Sequence, residues 1–272
     1  MRTTIITLSL AAVLGGCGSP DRADSEQASP AIMYHHGDIL TMAGDEPAYA
    51  EALVVRDGKI LFVGAADQAM EAAGPGHRMV DLQGRTLLPG FIDGHAHFHG
   101  FGAQAITANL LASPDGTCDS MDQLVTALKD WHAANGTDKT QGWIIGMGYD
   151  DAVLAERRHP TRDDLDKVST DVPIMCVHIS GHFCTVNSKG LEVLGITAAT
   201  EDPAGGVIRR MKGSREPNGV LEELAAIPRM LKTISPTDPA LADLYLDRGQ
   251  EMAASYGYTT ANEGRAMTNH EQ

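Results

Sequence analysis

The sequence predicts an α/β fold in which a small antiparallel β unit precedes a longer run of alternating helices and strands. Three observations carry that expectation. Apolar runs at 52–55 and 59–63 flank Arg56-Asp57-Gly58, and Asp-Gly between apolar runs is a hairpin signal. Helical and strand patterns alternate from residue 120 to residue 261. An apolar strand over 87–93 ends in Asp93-Gly94-His95-Ala96-His97, which puts ligand-type side chains at a strand's carboxyl end.

Composition bounds the function. The 272 residues carry 21 Lys+Arg against 36 Asp+Glu, a net charge of −15, which leaves little attraction for nucleic acid or anionic lipid. No apolar run reaches the ~18 residues that a spanning helix needs. Aromatic residues make up 5%, so Ala, Leu and Val must fill the core.

The N-terminus reads as an address. Arg2 supplies a positive charge, 5–14 is a short apolar stretch, and Leu14-Gly15-Gly16-Cys17 follows. That order fits a secretory signal too short to span as a mature helix. The small residues before Cys17 resemble the bacterial lipoprotein signal. The resemblance implies cleavage after residue 16, lipid on Cys17 and attachment to the bacterial cell envelope on the periplasmic side. A plain signal peptide and an N-terminal strand are the alternatives. Residues 17–30 are polar with Pro and Ser, as a flexible tether would be. Cys118, Cys176 and Cys184 then remain. Cys176 and Cys184 flank an expected turn and either pair or stay, with Cys118, as buried thiols.

The body reads in order as follows. Residues 39–64 are β structure. Residues 67–73 form a short helix capped by Asp67 and stopped by Gly74-Pro75. Strands at 79–82 and 85–88 surround Gln83-Gly84 and complete an antiparallel unit over 31–90. Residues 120–134 are helical, with Leu124, Leu128 and Trp131 on one face and Gly136 as the stop. Residues 143–147 are a buried strand. Thr161 with Asp164 resembles a capping start. Strand 173–179 and helix 188–194 follow, then a ribbon at 207–211. Helices at 222–232 and 240–256 precede a small strand at 257–261.

His95 and His97, two apart on a strand, point to one face. Imidazole suits zinc and other first-row divalent ions, and Asp93 is placed to support the pair or the water they would hold. The segment Leu88-Pro89-Gly90-Phe91-Ile92-Asp93-Gly94-His95-Ala96-His97 resembles the first-strand signature of the metal-dependent amidohydrolase superfamily. Further segments resemble its family 3 branch, which includes N-substituted formamide deformylases. They are Gly148-Tyr149-Asp150, 160–166, Gly181-His182 with Val186-Asn187-Ser188, 202–206, 219–223 and Gly257-Tyr258-Thr259-Thr260.

This resemblance implies a partial (β/α)8 TIM-type barrel. An N-terminal β-sandwich half occupies 31–86, the barrel part 87–272, and a long α+β insertion about 105–250 follows barrel strand 1. It implies one or two divalent ions, usually zinc, and a metal-bound water that attacks a small amide-like substrate at a non-peptide C–N bond. Glu223 then stands where the branch carries a carboxylate that reaches the metal, with a helix-start role as the alternative. His182 becomes a substrate contact or a structural histidine. Asp150 and Asp151 read first as solvated or capping residues, and Asn187 with Ser188 as a helix cap. His99 lies beyond the strand, His35 and His36 lack a partner, and Glu263 at the end of the second barrel strand is a weaker candidate.

Only two barrel strands are accounted for, near 87–93 and 257–261, whereas such a barrel takes ~250 residues. The expectation is therefore a truncated, N-terminal piece with an incomplete metal site and little hydrolase activity of its own. No Gly-x-Ser-x-Gly elbow or phosphate loop occurs. A non-catalytic substrate-binding lipoprotein and a C–O or lactone hydrolase stay open beside the amidohydrolase reading.

Overall fold

The computed structural model describes residues 29–264. The expected signal segment, most of the tether and Cys17 lie outside the described residues. The chain divides into two compact units at Pro89/Gly90.

The first unit holds β1 (Ile32–Leu40), β2 (Tyr49–Arg56), β3 (Lys59–Gly64), α1 (Ala66–Ala73), β4 (Arg78–Asp81) and β5 (Thr86–Leu87). The β2–β3 hairpin forms as expected, with Asp57 and Gly58 both at positive φ, 50° and 71°. The sheet order is β3-β2-β1-β4, and β5 pairs farther along β1. The unit is not wholly antiparallel, because β4 and β5 both run parallel to β1. A hairpin cannot carry the chain from the β3 edge to the β4 edge; α1 makes that crossover, and a crossover returns the next strand parallel. Ala69 and Ala73 of α1 pack on Met33, Ala52 and Val54. Asp67 does not cap this helix: Ala65 holds the cap position, and the Asp67 carboxylate accepts the Gln68 N–H inside the first turn. His35 and His36 belong to β1, at a break in its register. Gly37 in that break has no room for a side chain, since a Cβ there would lie 2.3 Å from the Arg85 carbonyl oxygen.

The second unit begins with β6 (Phe91–Ile92), α2 (Phe98–Ala105), β7 (Ala108–Asn109), α3 (Met121–Asn135), β8 (Ile144–Tyr149) and α4 (Arg162–Leu165). It continues through β9 (Ile174–His178), β10 (Phe183–Val186), α5 (Ser188–Val193), β11 (Gly206–Arg210) and β12 (Pro217–Glu223). It ends with α6 (Ile227–Ile234), α7 (Pro239–Ser255) and β13 (Tyr258–Thr260). The strand expected over 87–93 is thus divided, with β5 in the first unit and β6 in the second. The helix expected over 222–232 starts later: Pro217–Glu223 is strand, paired on both sides by β10 and β11, and the helix begins at Ile227. Val220 and Leu221 are buried there, and that burial outweighs the helical preference of the Glu-Glu-Leu-Ala-Ala run.

A six-stranded mixed sheet, β11-β12-β10-β9-β8-β7, organises this unit. Strands β7, β8 and β9 are parallel, and β10, β12 and β11 follow antiparallel in turn. Alternate residues of the central strands enter two separate cores. Ile145, Met175, Val177, Cys184 and Val186 pack with Leu191, Leu221 and Met230 on one side. Ile144, Ile174, Cys176 and Tyr149 pack with Leu110, Leu124 and Leu128 on the other. Cys176 and Cys184 therefore face opposite cores. They are free buried thiols, as is Cys118. Burial pushes the thiols up, to about 12 at Cys184 and about 11 at Cys118. β6 and β13 form a separate parallel pair. No helix among the described residues is long and apolar enough to cross a membrane.

Asp164 ties α4 to its surroundings. Its carboxylate accepts from Thr161 N and Oγ1, both at 2.9 Å, and from both terminal nitrogens of Arg158 at 2.6 and 3.1 Å. Burial alone would raise this carboxyl's pKa, but those donors outweigh it and hold the group far below the usual carboxylate range.

Helices α2 and α7 touch through glycine. A Cβ on Gly102 would lie 2.0 Å from the Tyr245 carbonyl oxygen, so backbone meets backbone there. Gly102→Ala is expected to cost about 2 kcal/mol through overpacking. Urea unfolding checks this, and an unchanged midpoint would show that the helices part without cost.

Candidate functional site

Two groups of titratable side chains stand out in the second unit. The first surrounds the sequence-predicted histidines. The strand β6 ends at Ile92, so Asp93–His97 is a bend and not strand. His97 occupies the N-cap position of α2. Simple strand alternation therefore does not place His95 and His97; the bend does, with ring centroids 5.5 Å apart and ring planes at 75°. Asp93 shapes that bend. One carboxylate oxygen accepts the His95 N–H at 3.0 Å and the other the Asn262 N–H at 3.2 Å, while the Asp93 N–H donates to the Thr260 carbonyl at 2.9 Å. The ends of β6 and β13 are thereby held together.

Glu263 completes the group from the β13 side. It forms a bridge with His97. Its carboxylate lies 3.7 Å from His97 Nδ1 and 3.1 Å from His99 Nδ1, and it accepts the His99 N–H at 3.0 Å. Glu263 is 19% exposed, whereas His97 and His99 are open to solvent. His99, set aside in the sequence reading, belongs to this group. Its signal was the carboxylate just past the carboxyl end of the second parallel strand, which needed a partner.

The second group sits on one edge of the mixed sheet. The directions of the strands bring the ends of β7, β8, β9 and β12 and the starts of β10 and β11 to that same edge. Ligands of parallel sheets bind outside the carboxyl ends of strands. Asp150 and Asp151 follow β8, and His178 ends β9. One ligand atom from each lies within 4.8 Å of the others, and this is the only such group of three among the described residues. His178 Nε2 is 3.1 Å from Asp151 Oδ1 and 3.8 Å from Asp150 Oδ1. The Asp151 oxygen lies off the hydrogen-bond direction, and Nε2 is buried without a hydrogen-bond partner. His178 Nδ1 accepts the Ser180 N–H at 3.0 Å and contacts Ser180 Oγ at 2.8 Å. Asp150 also caps its own turn by accepting the Ala152 N–H.

Behind these residues the Tyr149 hydroxyl, fully buried, is 3.1 Å from His159 Nδ1 and 3.5 Å from Thr185 Oγ1. Burial pushes the Tyr149 phenol up and holds His159 below the ordinary imidazole value, against the opposing pull of Asp151. Farther along the same edge, His182 Nδ1 and Glu223 Oε2 are 2.9 Å apart, both about half exposed. The two residues predicted separately as substrate contact and carboxylate ligand are each other's partner. Glu223 is among neither the three converging ligand atoms nor the contacts of His95 and His97.

Comparison with known proteins places this geometry. The amidohydrolase family model matches residues 78–272, well over half of the chain. The chain belongs to the amidohydrolase family. It is 32% identical over 206 residues to the N-substituted formamide deformylase of Arthrobacter pascens, covering 76% of this chain and 36% of that protein. It is 31% identical over 212 residues to the YtcJ amidohydrolase of Bacillus subtilis, covering 78% of this chain and 38% of that one. An uncharacterized metal-dependent hydrolase from Pyrococcus furiosus shares the fold, with a TM-score of 0.55 at 23% identity over 85% of this chain and 43% of that chain. The chain thus spans well under half the length of these relatives. The family and branch expected from residues 88–97 and the ordered segments after them are met.

A low imidazole pKa at His159 makes stability depend on pH. The unfolded state takes up a proton near pH 6.5 and the folded state does so lower, so stability falls as pH drops below that value. His159→Gln is expected to flatten this decline between about pH 7 and 5. Denaturant titrations of both proteins across that range check it; parallel curves would remove His159 as the cause.

Proposed function

We propose that the protein containing this segment is a metal-dependent hydrolase of non-peptide C–N bonds in small amide-like molecules, built on a (β/α)8 barrel that starts with β6 and β13. The mixed sheet is then the insertion between those two strands. The observation that carries the reading is the Asp-x-His-x-His bend at the carboxyl end of β6, within a chain of amidohydrolase descent. The parallel β6–β13 pair with helices between its strands is consistent with the start of such a barrel.

Imidazole and carboxylate are the donors that a zinc-type ion takes, so the side chains at hand suit the ion. His95 and His97 would hold it. When bound, such an ion lowers the pKa of a water to about 7 and polarises a carbonyl oxygen. Asp93, with both oxygens on backbone N–H groups, holds the bend that aims the two imidazoles. Glu263 orients His97 and His99 from the facing strand end, as a carboxylate orients a ligating imidazole elsewhere. His182 and Glu223 form a polar pair suited to a substrate's polar end, with Glu223 also a candidate carboxylate ligand. The substrate is a small neutral or cationic molecule; the acidic balance of the chain disfavours polyanions. A C–O or lactone hydrolase would use the same groups.

Zinc-loaded protein of the length its relatives have, carrying these residues and offered simple N-formyl and N-acyl amides, tests the reading; the 272 residues alone are expected to turn over little. His95→Ala and His97→Ala are each expected to lower kcat/KM by at least about 100-fold, about 2.7 kcal/mol of barrier. Circular dichroism confirms the fold of each variant. Turnover that survives in both overturns the reading, and turnover of esters or lactones without amides selects the C–O alternative.

Export and lipid attachment at Cys17 belong to the same proposal, supported by the charge, apolar stretch and small residues of 1–17. Cys17→Ala is expected to move the protein from the membrane fraction to the soluble fraction of an envelope preparation. An unchanged distribution would sink the anchor.

A further inference from the structure

We propose that the sheet edge formed by β8 and β9 binds a divalent transition-metal ion through Asp150, Asp151 and His178 Nε2, separate from any ion at His95 and His97. Four observations on this edge point to it.

The first is spacing. Two ligands about 2.1 Å from a tetrahedral ion are about 3.4 Å apart. The Nε2 of His178 lies 3.1 and 3.8 Å from the two carboxylate oxygens, on either side of that figure. The second is an unmet valence. The His178 side chain is 10% exposed, its Nε2 is buried, and it makes no hydrogen bond while facing the two carboxylates. A buried polar atom without a partner costs free energy unless something else engages it.

The third is charge. Asp150 and Asp151 are adjacent, about a third exposed, and have no Lys or Arg within 4.0 Å among the described residues. Within that distance, the positively ionisable groups among the described residues are His159 and His178. A divalent cation would neutralise both carboxylates at once. The fourth is rigidity. The register Tyr149↔His178 fixes the end of β8 beside the end of β9, and Asp150 is clamped by its own turn with Ala152. Three ligands from two paired strand ends are positioned by backbone and leave a coordination position open for water or a ligand oxygen. One nitrogen and two oxygens suit zinc, manganese or iron(II) better than a soft ion such as copper(I).

The ring proton must move for this to happen. Nδ1 accepts the Ser180 N–H, so Nε2 carries the hydrogen in the metal-free state. On binding, the ion takes the place of that hydrogen, and the proton resides on Nδ1. From there it donates to Ser180 Oγ, 2.8 Å away, which turns to accept it. The Ser180 N–H contact is given up. Ser180 is then the outer partner that orients a ligating imidazole.

The test uses the full chain carrying His95→Ala and His97→Ala, so that failure of the family site and failure of this one are separable. Equilibrium dialysis against zinc with elemental analysis is expected to retain an ion in that background. Adding His178→Gln or Asp151→Asn is expected to abolish retention. Adding Ser180→Ala is expected to weaken binding about tenfold, the cost of losing an outer partner. Circular dichroism checks each fold, and the more exposed Asp151 supplies a variant that does not disturb the core if His178→Gln fails to fold. No zinc retained by the double variant overturns the proposal. So does zinc retained undiminished after both His178→Gln and Asp151→Asn.

Discussion

The parallel pairing of β8 with β9 is the constraint on which the second unit depends. Both strands are buried on both faces, and alternate side chains enter separate cores. A strand in that position cannot carry charge along its length without leaving it desolvated. Polar function is therefore driven to the strand ends, and the common direction of β7, β8 and β9 decides which end. The result is an edge on which Asp150, Asp151, His178, His182 and Glu223 gather although they span more than seventy positions of sequence. Behind that edge, the buried His159 and Thr185 both meet the Tyr149 hydroxyl.

The same constraint explains what was legible beforehand. Strands β8 and β9 announce themselves as short apolar runs, and α3 by its Leu124–Leu128–Trp131 spacing between Ser120 and Gly136. The β2–β3 hairpin was readable from Asp57-Gly58 because a two-residue turn with both φ values positive strongly favours that pair. Elements whose identity depends on distant partners were not. β12 reads as the start of a helix until β10 and β11 flank it, and β4 reads as half of a hairpin until α1 carries the chain across the sheet. Asp67 has the right chemistry for a cap and stands two residues too late.

At the site, local motif and long-range geometry separate in the same way. His95 and His97 were found because their spacing is local. Glu263 and His99 were not paired, since their contact spans 164 positions. The Asp150–Asp151–His178 group was within reach of an argument already in use. An acidic pair directly after one strand and a histidine at the end of the next is the strand-end placement that singled out His95. What sequence could not supply was the adjacency of β8 and β9, without which two acids after a strand are an ordinary solvated turn.

The two groups differ in kind, and the difference bears on what each can do. The His95–His97–His99 face is open to solvent, and its carboxylates are committed: Asp93 to two backbone N–H groups, Glu263 to the histidines beside it. An open face of imidazoles held by fixed carboxylates suits a centre that must admit substrate, because ligand exchange there displaces only water. The β8–β9 edge differs: its imidazole is buried, Asp150 accepts a single backbone N–H, and Asp151 faces only histidines among the described residues. There a cation would be held more by charge than by imidazole number, and removing it would leave two adjacent carboxylates facing each other beside an apolar core. Their repulsion would fall on the β8–β9 register, so an ion at this edge would act first on the stability of the sheet that positions every other polar residue along it.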